Sequence, residues 1–168
     1  GGKTFKNLIS GGEIHPDHHA WWIHPKDGSY IIDGNDGGLA MSRDRGKTWS
    51  FIGNLPLGQF YHVNVDMETP YNVLGGLQDN GSWRGPSSLL SSGGIRNSYW
   101  EKIGGGDGFD AAVDQLDPRF AYNMSQGGNL NRFDLKSGDR KNIRPIHPKG
   151  EKLRFNWNAA MAVSQHKP

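Results

Sequence analysis

The sequence predicts an all-β protein, a β-propeller of four-stranded antiparallel blades. Three observations carry this expectation. Similar short segments recur at intervals of roughly 40–50 residues, the length of one blade. Glycine makes up 25 of the 168 residues without a collagen period, which fits many tight turns between short strands. The third is the stretch Ser42-Arg43-Asp44-Arg45-Gly46-Lys47-Thr48-Trp49. It reads as a turn in which Asp44 accepts backbone N–H groups and Gly46 takes a positive φ. Ser42 ends one strand, Thr48 follows the turn, and Trp49 opens the next strand. A catalytic role for Asp44 is the other reading, but the flanking glycine and aromatic favour a structural clasp.

The repeat places the strands in order. Ile23-His24-Pro25-Lys26-Asp27-Gly28-Ser29-Tyr30, Val65-Asp66-Met67-Glu68-Thr69-Pro70-Tyr71-Asn72 and Val113-Asp114-Gln115-Leu116-Asp117-Pro118-Arg119-Phe120 align without gaps, and Val163 begins a fourth copy. Each blade then has an inner strand, at Ala20–His24, His62–Val65, Phe109–Val113 and Ala159–Val163. Second strands follow at Tyr30–Asp33, Asn72–Leu74 and Ala121–Asn123, and third strands at Leu39–Ser42, Ser82–Arg84 and Leu130–Phe133. Outer strands are expected at Thr4–Leu8, Thr48–Ile52, Tyr99–Ile103 and Lys141–Arg144.

All of 1–168 is thus expected to belong to one propeller domain. Residues 1–8 form the last strand of one blade, 20–52, 60–103 and 109–144 three further blades, and 159–168 the first strand of another. Gly1-Gly2-Lys3-Thr4-Phe5 resembles the back half of the Ser42–Trp49 turn, so the numbering is expected to start inside a repeat. Three blades do not close a ring and would leave raw strand edges. The segment is therefore expected to be held within a larger chain or complex.

Composition narrows the function. The net charge is +2 with mixed signs and without a run of five basic residues, which argues against nucleic acid as the main partner. There are no cysteines, hence no disulfide framework and no thiol chemistry. Apolar runs such as Ala159–Val163 are far too short to span a membrane. No cofactor is implied.

Antiparallel blades place the loops entering the inner strands beside the loops joining second to third strands. That face gathers the candidate binding residues His18, His19, Asp36, Gln78, Asp79, Asn80, Asp107, Asn156 and Trp157. Asp36, Gln78 and Gln126 occupy equivalent places, each beside glycine. Glycine there permits close approach by a ligand; alternatively, the polar side chains clasp turn backbones of neighbouring blades. His15, His18 and His19, with Asp17, are weak candidates for metal binding. Adjacent histidines on a strand point apart, and solvated or structural histidines are the competing reading. Asp36, Asp79 and Asp107 are candidate carboxylates for glycoside hydrolysis. Serine-hydrolase, zinc-protease and phosphate-loop motifs are absent.

The Ser42–Trp49 turn is a full Asp-box. With Gly34-Asn35-Asp36-Gly37-Gly38, Gly75-Gly76-Leu77-Gln78-Asp79-Asn80-Gly81 and Arg154-Phe155-Asn156-Trp157-Asn158, the chain resembles secreted bacterial Asp-box (BNR-repeat) propellers. These are related to sortilin-type propellers and to xyloglucan-cleaving enzymes with two propellers. The resemblance implies a secreted, periplasmic or cell-surface protein that binds a protein, peptide or polysaccharide. It also implies, as the alternative, a glycosidase. The enzymes carry an acid at the position that is Asn35 here, with Asp36 shifted by one, which favours a binding module.

Overall fold

A computed structural model describes residues 2–9, 12, 14–55, 57–164 and 166. Among them, regular structure is all strand apart from one 3-10 turn, Asn97–Tyr99. The strands form three separate antiparallel sheets, each of four strands. The chain divides into two compact units, Gly1–Leu57 and Gly58–Pro168.

The first unit holds one sheet of β1 (His18–Ile23), β2 (Ile31–Asn35), β3 (Gly38–Ser42) and β4 (Ser50–Phe51), in that order. Ala40 and Asp33 are fully buried across the β2–β3 ladder. The β3–β4 turn is tied by two side chains. Ser42 Oγ accepts the Gly46 N–H (2.8 Å), and Asp44 accepts the N–H groups of Lys47 (3.0 Å) and Thr48 (2.9 Å) and the Thr48 hydroxyl (2.7 Å). Arg45 and Gly46 both take positive φ there. β4 is shorter than the expected Thr48–Ile52 because the Thr48 N–H goes to Asp44 and not to a neighbouring strand. Asp44→Ala removes these three contacts and the one accepted from the Ser42 hydroxyl (2.9 Å), and the melting temperature is expected to fall by about 5 °C, measured by calorimetry.

The second unit holds two sheets. One runs β5 (Phe60–Val65), β6 (Asn72–Leu77), β7 (Gly81–Pro86) and β8 (Glu101–Gly104). The other runs β9 (Ala111–Val113), β10 (Phe120–Ser125), β11 (Asn129–Asp134) and β12 (Arg140–Asn142). Leu74 and Ile103 from the first sheet pack with Ala111, Val113, Ala121 and Phe133 from the second in one buried cluster. Two amides stitch the sheets through that core. Asn64 Nδ2 donates to the Ala111 carbonyl (2.9 Å), and the buried Asn123 Nδ2 donates to the Ile103 carbonyl (2.8 Å). Satisfying these carbonyls matters because an unpaired buried acceptor is costly.

Twelve of the expected strands coincide with β1–β12, several of them one to three residues longer or shorter. Two do not form. Thr4–Leu8 and Ala159–Val163 have no ladder partner among the described residues, and without cross-strand N–H···O bonds an extended segment is not a strand. Met161 N–H reaches only the Asp110 carboxylate (3.2 Å). Gly1, Glu13, Gln165, Lys167 and Pro168 lie outside the described residues.

Candidate functional site

A small irregularity recurs at the start of two sheets. The β1–β2 register shifts between His18 and Ala20, and the β5–β6 register shifts between Phe60 and His62, at aligned positions of the repeat. A bulge re-aims the residue it contains. In the first unit that residue is His19, whose Nε2 meets Asp36 Oδ1 at 2.6 Å. In the second it is Tyr61, whose hydroxyl donates to Gln78 Oε1 at 3.0 Å. The equivalent residues Asp36 and Gln78 are thus both held by the strand residue beside them. This recurrence is the behaviour of a clasp that fixes each hairpin to the first strand of its sheet.

The histidines of the first unit go to different carboxylates. His15 Nδ1 lies 3.5 Å from Asp17, and His18 Nδ1 lies 2.8 Å from the fully buried Asp33, which also accepts from Asn35 Nδ2 at 2.8 Å. His18 and His19 therefore do not share a ligand. Asp33 Oδ1 is buried and has no hydrogen-bond partner among the described residues. Sequence reasoning missed this carboxylate, although a charged residue inside the apolar run Tyr30-Ile31-Ile32-Asp33 was the available signal.

In the second unit the loops are laced together. Asp79 N–H donates to Asp107 Oδ1 (2.8 Å), Gly81 N–H to the Gly106 carbonyl (2.9 Å) and Gly108 N–H to the Leu77 carbonyl (2.9 Å). Asp107, only 8% exposed, is thereby a turn acceptor supporting the positive φ of Asp79. The glycines serve this lacing. A Cβ on Gly76 would lie under 3.0 Å from Gly108 and Phe109 backbone atoms, so the close approach here is chain to chain. Trp83 Nε1 donates to the Asn80 carbonyl (2.7 Å), and Asn80 Nδ2 donates to the Gln78 carbonyl (2.9 Å).

The segment 154–158 lies against the β10–β11 hairpin. Gly127 N–H donates to the Trp157 carbonyl (3.1 Å), and the Phe155 ring occupies the space over Gly128. Trp157 itself is 64% exposed, and Asn156 is exposed. Two further polar groups join this end without having been singled out from sequence. His62 Nδ1 stands 3.6 Å from Asp110, and its Nε2 is 3.1 Å from Asn158 Nδ2. Their positions in the strand entrance were legible, but the contacts join residues 96 apart in sequence and required the fold.

The opposite end of the second unit is charged. Asp66 is buried and accepts Asn72 N–H (2.7 Å), Asn72 Nδ2 (2.8 Å), Glu68 N–H (3.2 Å) and Arg84 Nη2 (3.0 Å). Burial pushes its carboxyl up, but the Asn72, Glu68 and Arg84 hydrogen bonds together outweigh it and hold it below the usual value of 3.8. Asp134 accepts a two-pronged contact from Arg119, with Nε to Oδ1 at 2.9 Å, and this guanidinium holds its carboxyl well below 3.8. In the first unit, the Thr48 N–H and then the Thr48 hydroxyl hold Asp44 down at about 2.

These depressed values fix the acid behaviour of both units. A carboxylate whose folded pKa lies below its unfolded value near 3.8 contributes stability that is complete above that value. The contribution is lost as pH falls through the folded pKa. The urea midpoint attributable to Asp44, Asp66 and Asp134 is therefore expected to hold at pH 5 and above and to drop between about pH 4 and 2. A midpoint insensitive to pH below 4 would contradict the hydrogen-bonded carboxylates.

No helix among the described residues is long and apolar enough to cross a membrane. Compared with protein-family models and with curated proteins, the chain matches none.

Proposed function

We propose that the three sheets are blades of an Asp-box β-propeller in a secreted or cell-surface protein, and that the protein binds a ligand or partner through the loop end of its blades. The observation that carries this reading is Trp157. Its side chain is 64% exposed while its own carbonyl is pinned by Gly127. A large aromatic held out to solvent on an anchored backbone gives contact area at low entropic cost. Gln78, Asn80 and Asn156 stand on the same set of loops, with Tyr61 clasping Gln78.

Glycoside hydrolysis is the weaker reading. It requires a carboxyl group free to give or take a proton at the substrate. Asp107 is buried on the Asp79 N–H, and Asp36 is engaged by His19. The test has two parts. Plant and algal glucans and a set of peptides are titrated against the protein, and the glucans are assayed for new reducing ends. The expected result is binding of one class without cleavage, weakened by about 1–3 kcal/mol in Trp157→Ala at unchanged melting temperature. Cleavage abolished by Asp36→Asn, Asp79→Asn or Asp107→Asn would replace this reading with the hydrolase. Binding indifferent to Trp157→Ala would remove the role of the loop end.

A further inference from the structure

The charged end of the second unit carries an open cleft of about 370 Å³ between its two sheets, lined by Glu68, Arg84, Pro118, Arg119, Leu135 and Lys136. None of these residues belongs to the loop end. We propose that this cleft is a second binding site, specific for a small organic monocarboxylate with an apolar body.

The cations of the cleft are fixed in place from behind. Arg84 gives Nη2 to both Asp66 (3.0 Å) and Glu68 (3.1 Å), and Arg119 gives Nε and Nη2 to Asp134. Each guanidinium has five N–H donors in a rigid fork. Nη1 of both arginines is left without a hydrogen bond among the described residues, and so is the Lys136 ammonium. Two pinned forks on one cleft form donors already oriented before a ligand arrives, with the exposed Lys136 beside them, and charge-assisted bonds to such donors are about twice as strong as neutral ones.

Charge balance argues against a dianion. Arg84, Arg119 and Lys136 stand against Asp66, Glu68 and Asp134, so the surroundings carry no surplus positive charge. Asp117 and Asp139 also act on Arg119. A dianion such as phosphate would meet repulsion from these carboxylates, whereas a monoanion meets less. Glu68 already shows that a carboxylate fits against Arg84; its side chain is 48% exposed, and Asn72 Nδ2 also donates to it at 2.8 Å. Pro118 and Leu135 offer an apolar wall for the rest of the molecule.

Benzoate, benzamide and inorganic phosphate are the probes, each titrated into the protein by calorimetry with circular dichroism as the folding control. Benzoate is expected to bind saturably with a dissociation constant on the order of 1 mM. Benzamide and phosphate are expected not to saturate. Lys136→Gln, an exposed change, should weaken benzoate about threefold or more, and Glu68→Gln should tighten it by a similar factor by removing the internal competitor. Equal binding of benzamide would overturn the proposal, as would absent saturation by benzoate or benzoate affinity unchanged in both folded variants. Tighter binding of phosphate than benzoate would reassign the cleft to dianions. Loop-end ligands should be unaffected by Lys136→Gln, which separates this site from the one that contains Trp157.

Discussion

Gly76→Ala is expected to unfold the second unit or to destabilise it by about 4 kcal/mol or more. Gly76 sits in β6 between His62 of β5 and Ser82 of β7. A methyl group there would enter van der Waals overlap with Gly108 and with the Phe109 nitrogen, which are backbone and have no rotamer with which to move aside. Gly108 is in turn bonded to Leu77 and would itself meet Gly81 and Gly76 if it carried a side chain. Relief would require the 104–110 loop to leave the β6–β7 hairpin, breaking the Asp79–Asp107 and Gly81–Gly106 bonds as well. Gly105→Ala is the matched control, because nothing lies within 4 Å of its Cβ position. It should shift the denaturation midpoint by less than about 0.5 kcal/mol. A Gly76→Ala protein with a wild-type midpoint would show that the loop holding Gly108 does not pack backbone to backbone on β6.

The same residues show what was readable in the sequence. The aligned segments around Ile23, Val65 and Val113 placed the first strand of each sheet, because a strand followed by a tight turn leaves a local pattern. The equivalence of Asp36 and Gln78 was also legible, and the structure gives both the same job against His19 and Tyr61. The purpose of the glycines was not. A run such as Gly75-Gly76 reads equally well as room for a ligand or room for another strand, and only the position of Gly108 decides. Asp107 was likewise ambiguous. A carboxylate that binds a substrate and one that accepts a distant backbone N–H are the same letter, and the partner of Asp107 lies 28 residues away in the chain. Thr4–Leu8 and Ala159–Val163 carry strand-like patterns, yet a pattern becomes a strand only where a neighbour supplies the ladder.

Asp66→Ala is expected to destabilise the second unit by about 3 kcal/mol. Each of its oxygens accepts two donors: Oδ1 takes the N–H groups of Asn72 and Glu68, and Oδ2 takes Asn72 Nδ2 and Arg84 Nη2. Truncation leaves the Asn72 and Glu68 N–H groups facing an empty space, while Asn72 Nδ2 and Arg84 keep only Glu68 at the exposed margin. Asp66→Asn should recover little, because an amide turns one acceptor into a donor pointed at donors. If the guanidinium's loss of its buried partner is the main penalty, Arg84→Met on the Asp66→Ala background should restore about 1 kcal/mol or more. Urea denaturation of the single and double variants measures that coupling directly. Strict additivity of the two changes would mean that Asp66 stabilises through the 66–72 turn alone, and that Arg84 is held in the cleft by Glu68 without it.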